Sequence, residues 1–237
     1  MKLSRAKKLL LLGIILVLID QIIKILVKTN MFLGQHIDVI GQWFKLLFIE
    51  NEGFAFGWSF GGVWGKYILS AFRICLAAVL IWWIGKMCRR NDAETAAGMK
   101  APIPTGFLVG LTIITAGALG NVIDCFFYGL LFSESSSAAI ASFGGHYAPF
   151  MQGKVVDMFY FPIINTTWPQ WLPIIGGKPF TFFDPVFNFA DSCVSVGAFY
   201  LILFQWKYIG SIESNPASDG KEPETNSKEN KGHKSSH

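Results

Sequence analysis

GKVVDMFYF (153–161) and FNFADSCVSVG (187–197) each set a single aspartate, Asp157 and Asp191, inside an otherwise apolar string. An aspartate at the centre of a membrane helix costs about 2.5–3.5 kcal/mol on insertion scales. The fold depends on whether these strings belong to a membrane protein, and the rest of the chain answers that. Hydrophobic residues make up 52% of its 237 positions and charged ones only 15%. Four apolar runs, about 9–28, 66–86, 105–131 and 186–206, each approach or exceed the roughly 20 residues that cross the hydrocarbon. The first run is too long, and its Asp20 and Lys24 too polar, for a cleaved signal peptide. The expected fold is an α-helical membrane protein: a four-transmembrane-helix bundle occupying 1–210 as one domain.

Basic residues set the orientation. Lys2, Arg5, Lys7 and Lys8 precede the first run, and Lys86, Arg89, Arg90 and Lys100 separate the second from the third. The other two connections are longer and poorer in lysine and arginine. Both termini are therefore expected in the cytoplasm, with the two long loops outside. The net charge of +4 reflects this asymmetry, and no nucleic-acid patch is visible. Cys75, Cys88, Cys125 and Cys193 lie in or beside the apolar runs without metal-ligand spacing, as small buried hydrophobes do.

The first outer loop, 30–65, is rich in aromatic and β-branched residues with turn signals at Gly41 and Gly53. It predicts two or three short strands, a small outer-face β-sheet between the first and second spans. In the second, about 132–185, SESSSAAIASFGGHYAPF reads as flexible. NTTWPQWLPIIGGKPFTFFDP reads as irregular, with Trp168 and Trp171 at the membrane interface. Residues 211–237 lose nearly all apolar character and are expected to form a disordered cytoplasmic tail.

On this topology the polar residues of the apolar runs gather in one layer. Asp20 lies in the outer half of the first span, Asn121 and Asp124 near the outer end of the third, and Asn188 and Asp191 at the outer start of the fourth. Asn51 and Asp157 lie in the outer loops. Ionisable residues inside a membrane are functional candidates by default. Plainer explanations stand beside that one. Asp20 and Lys24, spaced i, i+4, can simply neutralise each other. Asn121 and Asn188 can serve as interhelical hydrogen-bond glue or, for Asn188, as a helix N-cap. The string TAGALG (115–120) suits close helix packing. Asp157 and Asp191 have no adjacent cation in sequence. Two carboxylates brought together in a dry place share a proton, which suits activation of water against a peptide carbonyl.

Taken together, DQIIK (20–24), NEGFAFG (51–57), GALGNVID (117–124), VVD (155–157) and FNFADS (187–192) resemble the signal peptidase II family, the bacterial lipoprotein-processing aspartyl proteases. They occur in family order over about residues 8–206. The resemblance implies that Asp157 and Asp191 form the catalytic dyad. It implies that Asp20, Lys24, Asn51, Gly53, Asn121, Asp124 and Asn188 shape or support the site. It also implies diacylglyceryl-modified prolipoproteins as substrates, cleavage just before the modified cysteine, no metal or organic cofactor, and residence in the bacterial inner membrane among its lipids. A monomer is expected. Two other functions fit the residues less fully: a small transporter or proton conduit, which needs charges through the full depth, and a non-catalytic lipoprotein-binding assembly protein, which needs no dyad.

The chain departs from the family pattern at Cys125, where an arginine commonly follows the Gly-Asn-x-x-Asp motif. The segments between Asp124 and Asp157 and between Asp157 and Asp191 are also unusually long. Arg73, about two turns inside the second span, is either a substitute for the missing cation or a side chain snorkelling to the interface.

Overall fold

The structure is a computed structural model that describes residues 4–52, 62–99, 103–182 and 184–213. Gly53 with FAFG (54–57), and the tail from 214 on, lie outside the described residues. Helix α1 (Arg5–Asn30) leads to strands β1 (His36–Ile40) and β2 (Phe44–Asn51), then to α2 (Gly62–Ala96) and α3 (Thr105–Ile123). A π-helical turn (Asp124–Tyr128) and a short α4 (Gly129–Leu131) extend α3. Strands β3 (Val155–Tyr160), β4 (Ile164–Thr167), β5 (Pro179–Phe182) and β6 (Val186–Phe187) follow, then α5 (Phe189–Phe204) and α6 (Trp206–Glu213).

Among the described residues, three helices are long and apolar enough to cross a membrane: α1, α2, and α3 with its extension to Leu131. Helix α5 is apolar but has only 16 residues, short of the roughly 20 that span hydrocarbon. Leucines, isoleucines and phenylalanines cover the outside, as on Leu18, Ile68, Phe72 and Phe199. A lipid solvent permits this exposure; water would not.

Helix α3 is central, packing on α1, α2 and α5. The small residues expected to allow close packing do so: a Cβ on Gly117 would lie 2.3 Å from the Ala190 carbonyl oxygen of α5. Two apolar clusters bracket the polar layer. One joins Leu9, Cys88, Phe107, Leu108 and Leu201. The other joins Val27, Phe48, Tyr128, Phe132, Val156 and Met158.

The sheet differs from the expectation. Its order is β1-β2-β3-β6, all antiparallel, so half of it comes from the segment between α3 and α5 rather than from between the first two spans. Apart from Asp157, VVDMFY is apolar on both faces, so its sequence lacks the alternation that marks a strand. The second loop differs too. Residues 132–153 are docked, not loose: Leu33 N–H donates to the Ser136 carbonyl (3.1 Å), Ala148 N–H to Gly129 (3.1 Å), and Gly153 N–H to Cys125 (2.8 Å). NTTWPQW…PFTF is no irregular loop but a hairpin, with β4 paired to β5.

Candidate active site

Strand β3 carries Asp157 beside Ile49 of β2. Alternation sends Val156 and Met158 into the apolar cluster and turns Asp157 to the opposite face. Asp191 sits in the first turn of α5, where Asn188 forms a capping box. The Asn188 side chain accepts from Asp191 N–H (2.9 Å), and Asp191 Oδ2 accepts from Asn188 N–H (3.3 Å). Asn188 is thus the N-cap, and also more than that. Its Nδ2 donates to Asp157 Oδ1 at 2.7 Å and to Asn121 Oδ1 at 3.1 Å. Asn121 Nδ2 donates to Asp191 Oδ1 at 2.8 Å. The two amides and two carboxylates form one chain of hydrogen bonds from β3 through α5 and α3. Asn51 Nδ2 adds a longer bond to Asp157 Oδ2, 3.3 Å.

Beneath this chain lies a buried ion triad. Lys24 Nζ, wholly inaccessible, meets Asp20 at 2.9 Å and Asp124 at 2.8 Å. Its third donor goes to Asn121 Oδ1, 2.8 Å. An amide whose oxygen faces an ammonium must turn its NH2 the other way, toward Asp191. Lys24 therefore fixes the orientation of Asn121. Asp20 also accepts from Ala190 N–H (2.9 Å), an orphan donor in the first turn of α5. Gly120 leaves room for this, since a Cβ there would lie 2.5 Å from Asp20 Oδ2. Mutual neutralisation of Asp20 and Lys24 is thus real but incomplete, because the pair is shared with α3 and α5.

Burial, and then the Asp191 charge beside it, push Asp157 up to about 7, while the amides of Asn188 and Asn51 pull it down. One carboxyl of such a pair can hold a proton while the other accepts one. Among the described residues, no three His, Cys, Asp or Glu side chains converge as metal ligands would.

Arg73 lies on a stripe of α2 with Lys66 and Ser70. Its guanidinium donates to Cys125 Sγ at 3.5 Å, while Lys66 Nζ reaches the Gln152 carbonyl at 2.9 Å. The sequence did not single out Gln21, whose Nε2 bonds Asp124 Oδ1 (2.9 Å) and the Gly120 carbonyl (3.1 Å), or Tyr128, which donates to Gln21 Oε1 (3.2 Å). Gln21 lies inside DQIIK and could have been found there. Nor did it mark Lys28, Glu50 and Ser135. These form a second buried ionic knot, with Lys28 and Ser135 both donating to Glu50.

A family model described as signal peptidase (SPase) II matches residues 12–207. A lipoprotein signal peptidase of Porphyromonas gingivalis strain W83 is 43% identical over 204 residues, covering 85% of this chain and 84% of that protein. One from Amoebophilus asiaticus is 31% identical over 193 residues, covering 81% and 74%. Two solved structures of bacterial membrane enzymes share the fold. One has a TM-score of 0.52 at 21% identity, covering 85% of this chain and 94% of the other; the second has 0.51 at 19%, covering 92% and 95%. The matched span runs from α1 through α5 and encloses every residue of the hydrogen-bonded carboxylate chain, so the protein belongs to the signal peptidase II family.

Proposed function

We propose that the protein is a membrane aspartyl endopeptidase that removes signal peptides from prolipoproteins, cutting before the diacylglyceryl-modified cysteine. The observation that carries this is the convergence of Asp157 and Asp191, from β3 and α5, on one ring of amides. In this reading the protonated Asp157 donates to the scissile carbonyl oxygen. The ionised Asp191 takes a proton from water as its oxygen attacks the carbonyl carbon. Collapse of the tetrahedral gem-diol breaks the C–N bond. The proton held by Asp191 passes to the leaving nitrogen, and one hydroxyl proton returns to Asp157 as the new carboxyl C=O forms, which restores the starting dyad. Lys24, Asn121, Asn188, Asp20, Asp124 and Asn51 hold the pair in place. Gly53 and Arg73 support the site, and the working unit is one domain of 1–210 acting as a monomer.

In the proposed topology α5 completes a fourth crossing with the help of α6. Both termini are cytoplasmic and the dyad faces outward, consistent with the basic residues of 1–8 and 86–100. Cysteine placed at Ala138 should then react with an impermeant thiol reagent from outside, and cysteine at Ala96 should not; the reverse pattern would sink this orientation. The activity is tested with purified protein and a lipidated precursor peptide. Cleavage before the lipidated cysteine is expected, with a loss of about a thousandfold or more in Asp157→Asn and in Asp191→Asn. A fully active variant removes that aspartate from the chemistry.

A further inference from the structure

The arm between β3 and β6 has no part in the dyad, yet it is built with care. From Phe161 to Phe183 it holds one charged side chain, Lys178. Strands β4 and β5 form their own two-stranded sheet, separate from the main one. The tip is closed by bonds from Trp168 N–H to the Lys178 carbonyl and from Gly177 N–H to the Trp168 carbonyl, both 2.9 Å. The Trp168 ring lies 4.7 Å from that of Phe180. This ordered tip turns its apolar side chains outward: Trp171 is 79% exposed and Ile174 89%. Ile174 also sits at φ +73°, a left-handed conformation that a β-branched residue adopts only under strain.

An isolated two-stranded hairpin is marginal in water, and no contact among the described residues covers the outward Trp171 and Ile174 of this strained turn. The root of the arm shows what does. Strand β6 runs directly through Asn188 into α5, whose Val196 and Phe199 are exposed on an apolar helix. Phe161 stacks on Phe187 (5.7 Å) and on Phe44 (4.6 Å) at that root. The arm thus leaves the protein where an apolar helix enters the bilayer. Its four-residue ladder, about 13 Å long at about 3.3 Å per residue, keeps the tip within reach of the same interface. Tryptophan, isoleucine and proline with a lone lysine and no carboxylate are the composition of a segment lying in the headgroup layer.

We infer that the β4–β5 arm is a membrane-interface anchor, whose Trp171 and Ile174 insert among the lipids while Lys178 faces their phosphates. The inference rests on the chain being a membrane protein and not on its being a peptidase. The anchor holds the segment joining Asp157 to Asp191 at the depth of the bilayer surface.

The test places a nitroxide label at Ile174→Cys in a Cys75→Ala protein, the other three thiols being buried. The protein is reconstituted in phosphatidylcholine–phosphatidylglycerol vesicles, and collision with oxygen is compared with collision with a water-soluble nickel chelate. The label should favour oxygen at least severalfold more than one at exposed Ala138 and report a depth of about 5–10 Å below the phosphates. Trp171→Cys gives an independent second label should either variant fail to fold. Nickel accessibility equal to that at Ala138 for both labels overturns the anchor. So does a label that is wet in vesicles and becomes protected only when precursor peptide is added, which makes the arm a substrate contact instead.

Discussion

Lys24 and Lys28 lie one turn apart on α1, and both are wholly buried, yet they do different work. Lys24 divides its three donors between two aspartates and Asn121, tying α1 to α3 and to the amide that holds Asp191. Lys28 binds one glutamate and Ser135, with its ammonium 4.9 Å from the centre of the Tyr147 ring. It ties α1 to β2 and to the docked loop. One lysine orients the amide that holds Asp191, a member of the proposed dyad, and the other fastens the docked loop beside it. The two buried ion pairs differ in where the remaining donors go: those of Lys24 reach the proposed dyad through Asn121, and those of Lys28 do not.

The comparison breaks if the two lysines respond alike to removal. Lys24→Met leaves two carboxylates buried without a cation, which costs about 3–5 kcal/mol, and frees Asn121 to flip away from Asp191. We expect a large fall in the thermal midpoint in detergent and loss of activity of about a hundredfold or more in whatever folds. Full activity would show that Asn121 does not need its orienting cation.

Lys28→Met should do less. Glu50 keeps the Ser135 hydroxyl at 2.7 Å and Lys154 at 3.8 Å, so about 1–3 kcal/mol is expected, with less than a tenfold change in kcat. The double replacement Lys28→Met with Glu50→Leu removes both charges and should recover most of the lost stability, as replacing both members of a buried pair often does. No such rescue is expected for Lys24, because Asp20 also holds Ala190 N–H. Equal rescue at both positions, measured by thermal unfolding, would erase the distinction.

The same contrast explains what the sequence could and could not show. Asp20, Lys24, Asp124, Asp157 and Asp191 were legible because a charge in an apolar string is conspicuous. Lys28 was passed over because it falls at the end of its run, where a solvated lysine is ordinary. Glu50 is inconspicuous because it sits in the expected outer-face strands between the first two spans, where a solvated carboxylate is ordinary. The pairing of β2 with β3 joins Asn51 to Val155 across more than a hundred residues, and no local pattern encodes that. The docking of 132–153 uses the Cys125 carbonyl of the π-helical turn and the Gly129 carbonyl just after it. That turn leaves no trace in propensity. The first and third apolar runs fall on helices Arg5–Asn30 and Thr105–Leu131, whereas the second helix continues ten residues past the expected 86, to Ala96. The hairpin is hidden because Pro179 opens β5 and prolines and glycines crowd its tip.

A pH series sharpens the comparison from the dyad side. Asp157 is held at about 7, above the usual carboxylate range. Below the unfolded value near 4 its contribution to stability is fully present; it is lost as pH rises through 7, because the folded state alone holds that proton. Activity should follow on the alkaline side, with kcat/KM falling with an apparent pKa near 7 as the shared proton leaves. Asn188→Ala removes a donor that favours the ionised form, so the alkaline limb should move upward. Lys28→Met should leave that limb in place. A limb that moved with Lys28 and not with Asn188 would reverse the roles given to the two regions.

Arg73 provides the finest test, because it is a further cation of the span helices and the thiol of Cys125, 3.5 Å away, is a weak acceptor. Lys66, Ser70 and Arg73 lie along one face of α2, and Ser70 donates to the Met151 carbonyl (3.4 Å), so the stripe as a whole grips the segment leading into β3. The guanidinium end of the stripe lies beside the residue that follows Asp124. Arg73→Gln keeps a donor of shorter reach and loses the charge. A fall of about three- to tenfold in kcat/KM is expected, with the thermal midpoint nearly unchanged. Cys125→Ala removes the acceptor, and if the guanidinium acts through that thiol, the two losses in the double variant will not add. Cys125→Arg in the Arg73→Gln background restores a cation at that point. Cys125 is 1% exposed, so the new side chain fits only by taking the volume that Arg73 vacated, and recovery of rate would mean that it had taken the role as well. An unchanged turnover and an unchanged KM in Arg73→Gln would remove Arg73 from the site and leave it as part of the grip on the loop.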